Sequence, residues 1–145
     1  MMLMNTMPAQ EHLCDITENV WMGFLDLPLQ RSTGLPVACE CAASIMIEGA
    51  WNGQVVVACS RRLAQRVAAV MFQCEDSELR EALWADALNE IANIIGGNVK
   101  SLLPSPSRLG LPHFHTAWVP PESGQVATFS SEGDALHVLL IEASG

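Results

Sequence analysis

Basic residues are scarce in this sequence. Only seven of its 145 residues are lysine or arginine, against sixteen aspartates and glutamates, which gives a formal net charge of −9. Binding to nucleic acid or to an anionic membrane surface requires clustered lysine and arginine. No such run is present. We therefore expect neither nucleic acid nor a membrane surface among the partners.

Long apolar runs and targeting signals are also missing. No stretch approaches the roughly 20 apolar residues of a membrane-spanning helix. The start, MMLMNTMPAQ, lacks a basic segment and a long apolar segment, so we expect no signal peptide. The five cysteines are an odd number without disulfide-scaffold spacing. Together these features predict a cytoplasmic protein with reduced, mostly buried thiols.

Local catalytic signatures are absent too: the sequence has no nucleophile elbow, glycine-rich phosphate loop or kinase signature. A Cys/His nucleophile stays open, because its members can be distant in sequence. Half of the residues are apolar, which is enough for a real core. We assign residues 1–145 to a single domain with a loose leader at residues 1–8.

Hydrophobic periodicity predicts three helices, near residues 9–27, 61–72 and 77–103, and five strands, near residues 37–48, 54–60, 113–119, 125–130 and 135–142. Asn52-Gly53 marks a hairpin turn, and Ser60 and Ser77 are expected helix N-caps. Residues 104–112 are rich in proline and serine and are predicted to be a loop. The order α-β-β-α-α-β-β-β predicts an α+β fold with a mainly antiparallel sheet packed against helices.

Two of the predicted helices have defined faces. In the helix at 61–72, the side chains expected to face the core are Leu63, Val67, Val70 and Met71. At about 100° per residue, the core face of the helix at 77–103 comprises Trp84, Leu88, Ile91, Ala92, Ile95, Val99 and Leu102. The opposite side is an arc of roughly 80° that we call the polar ridge, formed by Asp86, Glu90, Asn93, Gly97 and Lys100.

Polar residues three apart on a solvent face are ordinary, so the polar ridge alone predicts little. Two details favour a docking surface. Leu83 and Ile94 flank the ridge, and an apolar rim around a polar centre is typical of interfaces. Gly97 on the ridge leaves room for another backbone. Gly96 and Gly97 each cost about 1 kcal/mol relative to alanine in a helix, so we expect a close approach or a kink there.

Two further pairs merit a hypothesis. His113 and His115 would lie on one side of a strand and invite a metal, although no acidic residue or cysteine nearby completes a ligand set. Cys39 and Cys41 would also point to one side, but their spacing is not that of zinc or thioredoxin sites, so we expect core packing.

The segment from Asp86 to Asn98, DALNEIANIIGGN, resembles the D/S-xxx-E-xx-N signature of the chemotaxis phosphatase family (CheC, CheX and FliY). Residues 48–57, EGAWNGQVVV, resemble that family's hairpin, and residues 109–112, LGLP, resemble its proline-bearing loop. The resemblance extends over roughly residues 10–142, and the single motif copy is most like the CheX branch. It implies a CheC/CheX-like fold and dephosphorylation of a CheY-type response regulator.

The resemblance also implies roles for the ridge. Asn93 would insert its amide into the regulator's site to orient the attacking water, and Glu90 would contact the regulator's active-site lysine. Asp86 matches the first motif position. The expected partner-binding surface comprises Asp86, Leu83, Ile94, Gly97 and Lys100.

The phosphorylated regulator would supply the phosphoaspartate and Mg²⁺, so we expect no metal or cofactor in this chain itself. The resemblance further implies a homodimer formed through sheet contacts, and the apolar last strand, unguarded by lysine or proline, is compatible with edge pairing. The alternative function is a non-catalytic CheX-like module that binds or sequesters a response regulator.

Overall fold

The computed structural model describes Pro8 and residues 10–74 and 80–143. Its helices are α1 (Gln10–Val20), which continues into one π-helical turn (Trp21–Leu25), α2 (Arg61–Phe72) and α3 (Glu81–Lys100). Its strands are β1 (Gln30–Arg31), β2 (Cys41–Gly49), β3 (Gly53–Cys59), β4 (Ser107–Leu109), β5 (His113–His115), β6 (Gln125–Ser131) and β7 (Asp134–Glu142). Over these ranges, none of the helices combines the length and the apolar character that crossing a membrane requires.

The strands form one antiparallel sheet in the order β1-β6-β7-β3-β2, and both β4 and β5 pair with the outer edge of β2. The predicted α+β fold with an antiparallel sheet is confirmed. The expectation that the last strand could pair at an edge of the sheet is wrong, because β7 lies between β3 and β6. Its apolar character reflects burial on both faces: Leu136 and Val138 point towards the helices, and Leu139 points away from them.

The helices cover one face of the sheet. The large hydrophobic core lies between this face and the helices, with α3 over β2, β3 and the edge strands and α1 over β6. A smaller apolar cluster occupies the other face, where Cys39 and Trp118 pack against Ala42, Val56, Ala58 and Leu139. Each fully buried leucine or isoleucine contributes about 1.5–3 kcal/mol. The core face of α3 therefore fixes the rotation of this helix and the direction of the polar ridge.

The start of α2 confirms one predicted cap. Ser60 has an extended backbone, and its Oγ accepts a hydrogen bond from the Leu63 amide at 3.1 Å. The prediction that Val70 faces the core is wrong, since its side chain is 37% exposed. The buried face instead includes Ala64 and Ala68, which rotates its centre roughly 90° away from Val70 at 100° per residue.

Several predicted boundaries differ from the structure. The predicted loop at 104–112 contains β4, which pairs with Ile47–Gly49 of β2. The strand predicted from residue 37 begins at Cys41, and Cys39 forms only an isolated bridge with Trp118. Ser77, the predicted cap of the central helix, lies outside the described residues. So does the predicted leader at 1–8, apart from Pro8, which is buried.

Two ion-pair clusters tie helices to strands. Arg31 of β1 binds three carboxylates of α1, those of Glu11, Asp15 and Glu18, at 2.8, 3.1 and 2.8 Å. The hydrogen bond from Arg31 lowers the pKa of Glu18. Arg66 of α2 binds the Asp134 carboxylate at 3.4 Å beside the β6–β7 turn, where both side chains are nearly buried.

Candidate docking site on the central helix

Helix α3 has a buried side and an open side. The predicted core residues Trp84, Leu88, Ile91, Ala92, Ile95 and Val99 are all buried. Leu102 is the exception, with 47% of its side chain exposed. Because α3 ends at Lys100 and the chain turns at Ser101, the helical periodicity no longer applies to Leu102, and Leu103 is buried in its place.

The polar ridge lies on the open side. Asp86 and Glu90 are exposed, while Asn93 and Gly97 are half-buried. Glu90 and Asn93 are three residues apart on one helix, so their Cβ atoms are about 5–6 Å apart. Within the described ranges, the side chains of Asp86, Glu90 and Asn93 form no hydrogen bond or ion pair. The ridge thus presents a carboxylate and an amide on a rigid support with their hydrogen-bonding capacity unused.

Lys100, at the end of the ridge, behaves differently from its neighbours. It is half-buried, and its Nζ donates a hydrogen bond to the Ser107 carbonyl at 3.4 Å. This contact ties the last turn of α3 to the edge strand β4. A lysine in the last turn also interacts favourably with the negative end of the helix dipole.

The two adjacent glycines of α3 face different surroundings. A Cβ atom added at Gly96 would lie 2.9 Å from Ile45 Cγ2 and 3.2 Å from Leu109 Cδ1. Gly96 therefore allows α3 to approach the sheet closely, as expected from the sequence. A Cβ added at Gly97 would meet nothing within 4 Å. Gly97 is an open position on the polar ridge.

Around α3, the structure shows one exposed leucine that sequence reasoning missed. Leu83 and Ile94, the predicted apolar rim, are half-buried, and Ile94 packs against the main core. In the segment between β4 and β5, two strands that contact α3, Leu111 is 80% exposed. Periodicity gives no signal for Leu111, because it lies in a segment predicted to be a loop.

The histidine pair lacks the surroundings of a metal site. His113 and His115 are exposed, and His115 Nε2 lies 2.8 Å from Ser44 Oγ. In the part of the chain that the structure describes, no group of three or more histidine, cysteine or acidic residues is placed to hold a metal ion. Within these described residues, His113 and His115 therefore have no third ligand with which to hold a metal ion.

The cysteines near β2 do not form a nucleophilic pair. Cys41 is fully buried in the main core, as predicted, but Cys39 is half-buried in the cluster on the other face of the sheet. The prediction that both thiols point to one side is wrong, because Cys39 precedes the regular strand. Burial raises the pKa of Cys39 to about 11. This thiol is therefore protonated near neutral pH and is a weak nucleophile.

The arrangement on α3 suits chemistry carried out in another molecule's site. Two neighbouring surface grooves, one beside Leu35 and Leu139 and one beside Trp118 and Ile141, lie on the other face of the sheet and contain no residue of α3. The ridge is an open helix face with a neutral amide that both donates and accepts hydrogen bonds. Such a surface can insert an amide and a carboxylate into a partner's pocket.

A family model described as chemotaxis phosphatase CheX matches residues 41–118, which is more than half of the chain. This range contains the β2–β3 hairpin, α2, α3 and the edge strands β4 and β5. Comparison with curated proteins returns no match.

Solved structures show the same fold. Chemotaxis protein CheX from Vibrio vulnificus has a TM-score of 0.77 and 17% identity, covering 94% of this chain and 99% of that one. CheX from Borrelia burgdorferi, crystallised with CheY, BeF3 and Mg²⁺, has a TM-score of 0.76 and 18% identity, covering 96% and 100%. A CheC-like superfamily protein from Shewanella sp. PV-4 has a TM-score of 0.75 and 15% identity, covering 95% and 100%. The resemblance predicted from the sequence is confirmed, and the chain belongs to the chemotaxis phosphatase CheX family.

Proposed function

We propose that this protein is a phosphatase that removes the phosphoryl group from the aspartate of a phosphorylated CheY-type receiver domain. One observation supports this proposal most strongly. In a chain of the CheX family, Glu90 and Asn93 stand one turn apart on the open side of α3, unpaired within the described residues. Asn93 would enter the receiver's site and orient the attacking water, while Glu90 would contact the receiver's active-site lysine.

The chemistry favours an amide at this position. Phosphoryl transfer to water passes through a loose transition state, so positioning and charge stabilisation supply most of the catalysis. The Asn93 amide can hold a water molecule in line without adding negative charge beside the phosphoryl group. Fixing one water molecule recovers part of the orientation entropy of the reaction. The receiver would supply the phosphoaspartate and its Mg²⁺, so we propose no metal or cofactor for this chain.

The partner assignment is supported by a neighbouring structure. CheX from Borrelia burgdorferi was crystallised with CheY, BeF3 and Mg²⁺, and BeF3 is a stand-in for a phosphoryl group. Its fold is shared by this chain over 96% of the sequence. We therefore propose a receiver of the CheY type as the partner, contacting Asp86, Leu83, Ile94, Gly97 and Lys100 around the two catalytic residues.

The test is the decay of a phosphorylated receiver. The protein should speed the loss of phosphate, and Asn93→Ala should lower the maximal rate about 100-fold or more, or about 2.7 kcal/mol, because the water is no longer positioned. Asn98→Ala is a matched control, since Asn98 is exposed on the same helix but faces away from the ridge. Asn93→Asp should also be inactive, because its charge repels the phosphoryl group.

Two outcomes would contradict the proposal in different ways. If wild-type protein changes the lifetime of no receiver and binds none, the assigned partner class is wrong. If it binds the phosphorylated receiver but leaves its lifetime unchanged, the protein is the non-catalytic binding module that the sequence left as the alternative.

We further propose a cytoplasmic homodimer. The cytoplasmic assignment is supported by five free cysteines, the expected state in a reducing compartment. With β7 in the middle of the sheet, the edges left for pairing are the β1 side and the β4–β5 side. Light scattering should give a mass near twice 15.7 kDa. A monomer at all concentrations would exclude the dimer.

A further inference from the structure

The edge of the sheet beside α3 contains a β-bulge. Ile47 of β2 pairs with Leu109, and Ser44 of β2 pairs with His113. Between these pairs β2 advances by three residues and the outer strand by four, so β4 and β5 form one interrupted strand with one extra residue. Bulges of this kind redirect side chains and are over-represented at sheet edges and beside active sites.

The bulge changes which side chains face the helix. Leu109 packs against the core near Gly96, and Phe114 makes an edge-on contact with the Trp84 ring at 5.7 Å. Leu109 and Phe114 are an odd number of residues apart, so a regular strand would point them to opposite faces. The extra residue lets both face α3. The segment between them is fixed at its start, where the Gly110 amide donates to the Met46 carbonyl at 2.8 Å.

These two contacts show how the edge segment that contains Leu111 runs along α3. The strand runs antiparallel to α3, from Gly96 at one end to Trp84 at the other. The helix rises roughly 18 Å over this stretch, and the strand spans roughly 17 Å. Leu111 is about two fifths of the way along, level with the turn from Asn89 to Asn93.

The contact between Leu109 and Gly96 lies on the flank of α3 next to the ridge. At about 100° per residue, Asn89 lies on the same side of α3 as Gly96, and Asn93 lies roughly 40° further towards the open side. Leu111 nevertheless does not pack against the helix, because it is 80% exposed. Leu111 is thus an exposed leucine in the edge segment that runs alongside α3, between Leu109 and Phe114, which both pack against the core.

We infer that Leu111 is an apolar anchor for the receiver domain that docks on the polar ridge. This inference rests on the proposed function, and it adds a contact outside α3. The partner it fits has an apolar patch beside the acidic pocket that holds its phosphoaspartate. Leu111 positions the partner and takes no part in the reaction, so it should affect affinity and leave the chemical step unchanged.

The experiment measures binding and turnover with a BeF3-activated and a phosphorylated receiver. Leu111→Ala should raise both the Kd for the activated receiver and the half-saturating receiver concentration about tenfold, with the maximal rate unchanged. Leu35→Ala is the matched control, because Leu35 is 87% exposed but lies beside Leu139 on the other face of the sheet. This variant should bind as the wild type does. Both variants should unfold at the same denaturant concentration as the wild type.

The possible failures are distinguishable. A Kd for Leu111→Ala within twofold of the wild-type value, in a protein whose Asn93→Ala variant is inactive, overturns this inference and leaves the proposed function standing. A wild-type protein that binds the activated receiver without dephosphorylating it refutes catalysis, and the Kd values still decide the role of Leu111. A wild-type protein that binds no receiver overturns both.

Discussion

Gly96 and Gly97 are neighbours in the sequence, but they belong to two different regions of the molecule. Gly96 lies where α3 packs closely against Ile45 and Leu109, and a methyl group added there would crowd both side chains. Gly97 lies on the polar ridge, where an added Cβ would have open space around it. The comparison separates a glycine required by packing from a glycine that the fold does not require.

Polar side chains show the same division. Arg66 and Asp134 bind one another where helix meets sheet, and their pairing holds α2 to the β6–β7 turn. Glu90 and Asn93 have no such partner in the described ranges, and they stand on the helix that is most firmly anchored in the core. Paired polar groups here maintain the fold, whereas the unpaired ones on the ridge are available to another molecule.

The largest effect on stability should come from the glycine pair. Overpacking typically costs about 1–3 kcal/mol. We expect Gly96→Ala to lower the free energy of unfolding by about 1–2 kcal/mol, after allowing for the better helix propensity of alanine. Gly97→Ala should raise the free energy of unfolding by up to about 1 kcal/mol, since only the propensity changes. Denaturant titration of the two variants measures both signs.

A larger side chain at Gly97 extends this test from stability to activity. Gly97→Leu should fold normally and lose phosphatase activity, because the leucine would occupy the space into which the receiver docks. Full activity in Gly97→Leu would show that no partner approaches the helix there. Equal stability of the two alanine variants would show that the close contact of Gly96 is absent in solution.

A smaller effect is expected from the ridge carboxylate. Glu90→Gln should weaken docking about tenfold, or about 1.4 kcal/mol, because the contact with the receiver's lysine loses its charge. The free energy of unfolding should stay within about 0.5 kcal/mol of the wild-type value, as for most surface substitutions. Titration with a BeF3-activated receiver gives the Kd. Glu81→Gln, on the same helix but off the ridge, is the control and should bind normally.

The smallest effect concerns a paired carboxylate and its pH dependence. The hydrogen bond from Arg31 lowers the pKa of Glu18 from 4.5 in the folded protein. The stabilisation is therefore complete above about pH 4.5 and is lost as the pH falls through the folded-state pKa. Glu18→Gln should lower the free energy of unfolding at pH 7 by about 0.5–1 kcal/mol, typical of partly exposed pairs.

The matching measurement compares unfolding of wild type and Glu18→Gln across the acid range. Their difference should shrink below pH 4.5, where Glu18 becomes protonated in the folded protein as well. A difference that stays constant down to the lowest pH would mean that the ion pair with Arg31 contributes nothing. Unlike Glu90→Gln, this substitution should leave receiver binding unchanged.

Much of the fold was predictable because it is encoded locally. The hairpin signal at Asn52-Gly53, the Ser60 cap and the helical periodicity each act over a few residues, and the elements they predict are present. The hairpin turn itself precedes Gly53, which already pairs with Ile47. The predictions fail where pairing between distant segments determines the strands and their order. Ser107–Leu109 becomes a strand only because β2 offers an edge more than fifty residues earlier in the sequence. The central position of β7 likewise depends on pairing with both β3 and β6.

The candidate site also has a part that could be predicted from the sequence and a part that could not. Periodicity alone places Glu90 and Asn93 on one open face of α3, since both are on a single regular helix. Periodicity puts Gly97 on the polar ridge and Gly96 off it, but the close contact of Gly96 is not predictable, because it arises from Leu109 and Ile45, which are distant along the chain. The position of Leu111 could not be predicted for a similar reason. Its position depends on one extra residue between two strand pairings, which only the register of β2 reveals.

The most direct test of the ridge as a phosphatase surface is the lifetime of a phosphorylated CheY-type receiver with wild-type protein, Asn93→Ala and Asn98→Ala. We predict that wild type and Asn98→Ala shorten the lifetime equally, while Asn93→Ala leaves it at the value of the receiver alone. All three proteins should show the same free energy of unfolding. Acceleration that persists in a folded Asn93→Ala variant would contradict the role assigned to the ridge.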